Sequence, residues 1–359
     1  MVSGVEPFAA VPEQKEAKRL LAAALADGPA HAYLFHGPAG VGKRTAASAF
    51  AAEILGDPRR VGAGTHPDLY VLEALGEMIR IDAIRALRHD LHMRPYEADR
   101  RVYLVLDAHL MNEDAADALL KDLEEPPAYA TIVLVANELG TLPETILSRC
   151  QLVPFRRLSE AAVRAWIAER AQGLDDARVT ALARVAGGRL DRARRLLDPE
   201  AAERRLALIA AARRPYCEPE LEPTGAAAVL LAAASARGAR AKERESEVVD
   251  GLDLPTREAE QRVRRAQRGA EREELLASLE ELAAWYRDLV VVAAGAERAV
   301  VHADRLDDLR ADAERGLAPG AERAAELVRE TWRSMEEFNV NPSLALEALF
   351  VRLRRALAV

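Results

Sequence analysis

Short apolar runs alternate with helical periodicity over the first part of the chain. The runs that predict buried strands are residues 32–35 (AYLF), 68–72 (DLYVL), 101–106 (RVYLVL) and 131–136 (TIVLVA). Between two of them, Ile81, Ile84, Leu87 and Leu91 have the spacing of one helix face, and Asn112 is placed to cap a later helix. Strands that alternate with helices over residues 30–156 predict an α/β domain with a doubly wound parallel sheet.

The strand pattern ceases after Phe155. Short helices are predicted over residues 159–213, and the acidic, proline-rich residues 216–223 predict a linker. Residues 237–281 are strongly charged and predict a solvated helix. Apolar periodicity returns in the last stretch, at Trp285, Leu289, Leu344 and Leu349. We therefore predict an α/β domain (1–156), a small helical lid (157–215) and an all-α collar domain (216–359) that mediates oligomerisation.

Composition narrows the class of protein. Charged residues make up 30% of the chain and aromatic residues only 4%, which favours a mainly helical protein. A formal net charge of −8 argues against broad, nonspecific wrapping of DNA. Two cysteines provide neither a disulfide framework nor a metal site. Because no membrane span and no secretory signal are recognisable, we expect a cytoplasmic protein without a membrane partner.

A phosphate-binding motif follows the first predicted strand. Residues 36–45 (HGPAGVGKRT) contain G-x-x-x-x-G-K between a strand and a helix, where backbone N–H groups and a lysine can cradle phosphates. The position after the lysine normally carries a hydroxyl for Mg²⁺, but here it is arginine, and the threonine comes one residue late. The cradle still permits weak, passive ATP or ADP binding; the alternative is a glycine turn that binds no nucleotide. The candidate nucleotide-binding residues of this loop are Gly37, Gly40, Gly42, Lys43, Arg44 and Thr45.

Two further stretches carry a family resemblance. Residues 101–127 (RVYLVLDAHLMNEDAADALLKDLEEPP) and 142–150 (LPETILSRC) resemble the AAA+ subunits of the bacterial replicative clamp loader. His66-Pro67-Asp68 and residues 339–349 (NVNPSLALEAL) are also similar to that family. The resemblance covers nearly the whole chain, is weakest over 216–275, and implies an AAA+ P-loop domain followed by a helical lid and a helical collar.

Within that family, an ATP-hydrolysing tau/gamma-type motor and a usually silent delta-prime type share the fold. The chain has Leu106 where the motor holds Mg²⁺ with an aspartate, and Asp107 where the motor has its catalytic glutamate. Residues 56–67 contain no cysteine, so the motor's zinc module is absent. Together with Arg44, these departures favour the delta-prime type, without intrinsic ATPase activity and with no metal or cofactor required. The alternative is an active motor.

The resemblance also implies a role for the SRC arginine. Arg149 would reach the nucleotide of a neighbouring subunit as an arginine finger, and Ser148 would orient its turn. Guanidinium suits this role because it is permanently charged and its fork matches phosphate oxygens. The alternative is that Arg149 pairs with a carboxylate of its own domain.

The remaining candidates keep two interpretations each. Asn137 is a γ-phosphate sensor or a loop anchor, and Asp107 keeps a residual catalytic role or is a surface carboxylate. The resemblance places the motor's sensor-2 arginine near Asp191 or Arg192, which makes Arg192 a candidate nucleotide ligand, although a solvated helix face is favoured. The arginines of 261–272 (QRVRRAQRGAER) resemble a nucleic-acid patch, but acids interleave them, and a solvated helix is again favoured.

The partners that the resemblance implies are the tau/gamma motor subunits and the clamp-opening delta subunit. The sliding clamp and primer-template DNA would be met through the complex. The chain would then be an accessory subunit of the DNA polymerase III holoenzyme.

Overall fold

The computed structural model describes residues 7–74, 78–140, 142–171, 173–250, 256–337 and 340–358 of the 359-residue chain. These residues form two compact units. The first extends to Trp166 and includes Gly188–Arg192; the second consists of Ile167–Gly187 and the chain from Ala193 onward. The predicted boundaries at 156 and 215 stay a prediction.

The first unit is built around a parallel sheet. Its five strands lie in the order β5-β1-β4-β3-β2, and every neighbouring pair is parallel. The predicted doubly wound α/β domain is therefore confirmed. In chain order the elements are α1 (Lys15–Asp27), β1 (Ala32–His36), α2 (Lys43–Leu55), α3 (Pro58–Gly62), β2 (Leu69–Leu72), α4 (Ile81–Leu91), β3 (Arg101–Val105), α5 (Glu113–Glu124), β4 (Ala130–Ala136), α6 (Glu144–Leu147), β5 (Gln151–Pro154) and α7 (Glu160–Arg170).

Apolar side chains fill both faces of this sheet. Along β1, Tyr33 and Phe35 pack with Phe50 of α2, whereas Leu34 packs on the opposite face. Because both faces of a central parallel strand are covered, its sequence is continuously apolar. The side chain of Asn112 accepts a hydrogen bond from the Ala115 backbone N–H at 3.1 Å, which confirms the predicted cap of α5.

The second unit is helical throughout its described residues, apart from short connections. Its elements are α8 (Asp176–Ala186), α9 (Leu190–Leu197), α10 (Pro199–Cys217), α11 (Pro223–Asp250), α12 (Thr256–Ala293), α13 (Leu306–Ala313), α14 (Ala318–Glu337) and α15 (Pro342–Leu357). Asn341 caps α15 through the Leu344 N–H at 3.3 Å. Asn339, part of the stretch that resembles clamp-loader subunits, lies outside the described residues.

Two sequence predictions for this unit need correction. The predicted linker of 216–223 is shorter, since α10 runs to Cys217 and α11 begins at Pro223. The charged stretch 237–281 is not a single solvated helix, because α11 and α12 pack along each other. Gly238 of α11 lies so near Glu271 of α12 that a Cβ at Gly238 would meet Glu271 Cγ at 2.4 Å.

The late apolar periodicity belongs mainly to the unit's own core. Trp285, Leu289 and Leu349 are buried in one hydrophobic cluster, whereas Leu344 is 66% exposed. Three of these four residues therefore stabilise the unit itself, and the fourth, Leu344, is exposed. In the described residues, no helix is both long and apolar enough to cross a membrane.

Candidate functional site

The candidate residues of the nucleotide motif meet at the carboxyl ends of three neighbouring strands. The glycine loop follows β1, Asn137 follows β4, and Asp107 follows β3 after Leu106. Because parallel strands end at the same edge of a sheet, residues up to about a hundred positions apart come together there.

The glycine loop has the conformation that its motif predicts. Gly37, Gly40 and Gly42 have φ values of 133°, 70° and 98°, in the region that side chains disfavour. A Cβ at Gly37 would lie 2.0 Å from the Phe155 carbonyl oxygen, so no larger residue fits there. The loop therefore needs glycine for steric reasons that hold without a nucleotide.

Lys43 is turned onto its own loop. Its Nζ donates to the carbonyl oxygens of Gly37 and Pro38, both at 2.6 Å, and to Asn137 Oδ1 at 3.0 Å. Burial lowers the pKa of Lys43 to about 8, although the nearby Asp107 and Asp191 carboxylates oppose the shift. The ammonium group thus has three acceptors within the chain. Asn137 anchors this lysine, which fits the loop-anchor interpretation.

Arg44 lies where a motor would hold its metal. Its guanidinium donates to Glu73 Oε1 at 2.6 Å and to Asp107 Oδ2 at 3.2 Å. Leu106 is 5% exposed and packs in the core beneath the loop, and Thr45 is exposed on α2. Magnesium requires oxygen ligands. Leu106 provides none, and the carboxylate of Asp107 is already paired with the Arg44 guanidinium. These residues do not fit Mg²⁺.

An acidic residue of the predicted lid lies against the glycine loop. Asp191 lies against Gly40, since a Cβ there would be 1.7 Å from Asp191 Oδ1, and Arg189 NH2 donates to Asp191 Oδ2 at 2.8 Å. The family resemblance places the sensor-2 arginine at position 191 or 192, with Arg192 as the candidate. In the structure, Arg189 and Asp191 are the residues of this stretch that interact electrostatically with Lys43: Asp191 raises its pKa and Arg189 lowers it. The role of Arg192 stays a prediction.

Arg149 lies on the turn after α6, in contact with its own domain. Its NH2 donates to Glu124 Oε1 at the end of α5, and its NH1 donates to the Thr145 carbonyl oxygen at 2.7 Å and to Ser148 Oγ at 3.3 Å. Ser148 Oγ in turn donates to the Thr145 carbonyl at 3.1 Å, so Ser148 orients the turn. The sequence leaves open whether Arg149 pairs with a carboxylate of its own domain. In the isolated chain it does, with Glu124. Next to it, burial raises the pKa of the Cys150 thiol to about 12.

A polar network lies around α3 and the start of β2. Arg60 of α3 pairs with Asp57 at 2.6 Å and with Glu97 at 2.5 Å. Asp68 is fully buried and accepts backbone N–H bonds from Tyr96, Glu97 and Ala98 at 2.6–3.0 Å. Across the described part of the chain, no group of three or more His, Cys, Asp or Glu is placed to hold a metal ion.

Sequence reasoning missed this network and a second one in the helical unit. His302 is fully buried, with Nδ1 2.8 Å from Asp288 Oδ2 and Nε2 3.0 Å from Glu281 Oε1. Glu281 also accepts from Arg205 Nε at 2.7 Å. A signal was present: Glu281, Trp285 and Asp288 are spaced as one helix face, which places two acids in an apolar stripe.

Comparison with known proteins shows which subunits the N-terminal part of the chain resembles. The model of a family described as DNA polymerase III, delta subunit, matches residues 13–159. The delta-prime subunit of DNA polymerase III from Pseudomonas aeruginosa is 38% identical over 154 residues, which are 39% of this chain and 47% of that protein. The Bacillus subtilis delta-prime subunit is 36% identical over 149 residues, 38% of this chain and 45% of that protein. The N-terminal part of the chain, residues 13–159, is thus similar to delta-prime subunits of DNA polymerase III.

Motor-type relatives are also similar to the chain. The tau subunit of DNA polymerase III from Bacillus subtilis is 33% identical over 146 residues, 37% of this chain and 26% of that protein. All three matches cover less than half of the chain. The chain spans about half the length of the delta-prime relatives that it matches.

Proposed function

We propose that this chain is a delta-prime subunit, a non-hydrolysing stator of a replicative clamp loader. It would help to load the sliding clamp onto primed DNA and would present Arg149 to the ATP of an adjacent motor subunit. The chain would contribute the positive charge of Arg149 to ATP hydrolysis by the neighbouring subunit and would hydrolyse no ATP itself.

The ion pair between Arg44 and Asp107 carries the non-hydrolysing part of this proposal. Hydrolysis in related P-loop proteins needs Mg²⁺ and a carboxylate that orients water. In this chain the acid that would contribute is paired with a guanidinium at 3.2 Å, and its neighbour Leu106 is buried in the apolar core. Both groups would have to change before a metal could enter.

The exposure of the Arg149 side chain supports its proposed action on the ATP of a neighbouring subunit. Its side chain is 31% exposed, and its partner Glu124 is 49% exposed. An exposed ion pair of this kind contributes only about 0–1 kcal/mol to stability, and the accessible guanidinium keeps further donors that a phosphate group can use. The turn can therefore hold the arginine in the free chain and present it in an assembly.

The rival is an ATP-hydrolysing tau/gamma-type motor. The similarity to a tau subunit favours it in part, since that match, 33% identical over 146 residues, is about as long as the delta-prime matches. Arg44, Leu106 and the absence of cysteine from residues 56–67 oppose it, because a motor needs a hydroxyl and a carboxylate for its metal.

The partners belong to the same proposal. They are tau/gamma-type motors, a delta-type clamp-opening subunit and, through the complex, the sliding clamp and primer-template DNA. A cytoplasmic location goes with it, because bacterial chromosomes are replicated there. Passive binding of ATP or ADP is not required.

Reconstitution tests the proposal. The full chain is mixed with tau/gamma and delta subunits, the complex is isolated by gel filtration, and clamp loading on primed DNA is measured with and without the chain. We expect a stoichiometric complex whose loading depends on the chain. In parallel, the chain alone should release no phosphate from ATP above the background of Lys43→Ala. Absence from the complex, or Lys43-dependent turnover by the chain alone, would refute the proposal.

A further inference from the structure

An ion pair links the two stretches that carry the family resemblance. Glu124 belongs to the LEEPP stretch and Arg149 to the SRC stretch, and they are 25 residues apart in sequence. Glu124 is the last residue of α5, whereas Arg149 lies just beyond α6. The carboxylate thus links the end of one helix to the turn that presents the arginine.

Three acceptors hold the Arg149 guanidinium: the Glu124 carboxylate, the Thr145 carbonyl and the Ser148 hydroxyl. An arginine side chain has five N–H donors. The Nε–H and one hydrogen of NH2 are therefore not used by these three bonds. The side chain is fixed in orientation but retains donors for a phosphate oxygen.

The negative charge of Glu124 does not stabilise its own helix. A carboxylate at a helix C-terminus faces the negative end of the helix dipole, which is unfavourable. Glu125 is the adjacent acid at the same helix end, and it makes no hydrogen bond to Arg149. The two glutamates share charge, size and exposure, but only Glu124 holds the arginine.

We propose that Glu124 is the positioning residue of Arg149, which orients the guanidinium before a neighbouring subunit's nucleotide arrives. A free arginine has many rotamers, and fixing it in advance lowers the entropy that must be lost in the reaction. This inference rests on the proposed action of Arg149 in trans. It adds that the finger is held ready by its own domain, with the Glu124 contact retained while the remaining donors meet phosphate.

The test uses the complete complex, reconstituted from tau/gamma and delta subunits with variants of this chain. DNA-stimulated ATPase is measured over a range of ATP concentrations for Glu124→Ala, Glu124→Gln, the control Glu125→Ala, and Arg149→Ala. Arg149→Ala removes the guanidinium altogether, so it gives the largest loss of ATPase activity expected from this site. The melting temperature of each isolated variant is measured alongside.

We expect Glu124→Ala to lower kcat by about two- to fivefold with KM nearly unchanged, because misplacing a catalytic group weakens the transition state. Glu124→Gln should lie between the wild type and Glu124→Ala, since its amide oxygen accepts the hydrogen bond without the charge. Glu125→Ala should equal the wild type. The isolated variants should keep the wild-type melting temperature within a degree or two, since the ion pair is exposed.

The outcomes separate this inference from the proposed function. If Arg149→Ala lowers the ATPase rate while both Glu124 variants match the wild type, the positioning role is refuted and the finger stands. If Glu124→Ala raises the rate, Glu124 competes with the nucleotide, and the inference is overturned. If Arg149→Ala has no effect, the action in trans itself fails.

Discussion

Arg44 lies 3.2 Å from the Asp107 carboxylate, although 63 residues separate them in sequence. The pair forms because α2 begins beneath the end of β1, and Asp107 follows β3 two strands away at the same edge. Asp107 has a left-handed backbone, with φ 57°, which turns the chain back toward the loop. A guanidinium thus neutralises the carboxylate that follows β3 at this edge of the sheet.

The first prediction concerns hydrolysis by the isolated chain. The variant Arg44→Thr restores the hydroxyl after Lys43 and frees Asp107, but it leaves Leu106 in place. We expect no ATP turnover in the wild type or in Arg44→Thr, because the metal still lacks its main carboxylate ligand. Phosphate release with and without Mg²⁺ is the measurement, and Lys43→Ala gives the background. Mg²⁺-dependent turnover by Arg44→Thr would show that Arg44 alone silences the site.

The second prediction concerns metal dependence of binding. Because Arg44 supplies the positive charge beside Asp107, we expect the affinity for ADP, measured by calorimetry, to be the same in Mg²⁺ and in EDTA. A tighter affinity in Mg²⁺ would contradict this account of Arg44.

The third prediction concerns pH and the helical unit. Burial alone would lower the pKa of His302, but hydrogen bonds to Asp288 and Glu281 outweigh it and raise the pKa above its ordinary value, with Arg205 opposing. A raised pKa means that the native state binds the proton more tightly than the unfolded state. The stabilisation is therefore complete below about pH 6.5 and is lost as pH rises through the native pKa.

The variant His302→Ala tests this. It leaves the buried Asp288 carboxylate without its imidazole partner, and breaking such a pair costs about 3–5 kcal/mol. We expect a lower melting temperature and a weaker dependence on pH above 6.5. Thermal melting from pH 5.5 to 9 is the measurement. An unchanged pH dependence would show that His302 does not titrate differently in the native state.

The fourth prediction concerns assembly. Leu344 is 66% exposed at the start of α15, while Leu346, behind it, is fully buried. We expect Leu344→Asp to weaken assembly with the partner subunits and to leave the melting temperature unchanged, because the side chain contributes little to the core. Val248→Asp is the matched control, since Val248 is 48% exposed on α11. Equal co-elution of both variants with tau/gamma and delta would exclude Leu344 from the interface.

The sequence predicts the sheet well because its strands are covered on both faces. The continuous apolar runs of β1, β3 and β4 identify them without knowledge of their neighbours. Helical periodicity is less informative in the second unit. It places Trp285 and Leu349 on apolar helix faces, but an apolar face has the same pattern whether it is buried in a core or in an interface. Only the packing shows that both residues are buried within their own unit.

Side-chain partners are the least predictable feature. The Lys43, Arg44 and Asn137 contacts depend on strand order, which the motif does not specify. Arg149 shows the limit most clearly, since its sequence predicts a role in trans and its structure shows a partner within the domain, Glu124. Both follow from the same chemistry, because a guanidinium binds carboxylate and phosphate alike.

The most direct test of the account is a paired measurement on Arg149→Ala. Thermal melting of the isolated variant should change little, because the exposed pair with Glu124 is worth about 1 kcal/mol or less. The reconstituted complex should lose DNA-stimulated ATPase activity. The loss should be far below the about 10³–10⁵-fold of single-site arginine fingers, since other subunits keep their own. Arg149→Lys should not restore it, because lysine lacks the bidentate fork. A fully active complex built with Arg149→Ala would contradict the claim that this chain supplies an arginine finger.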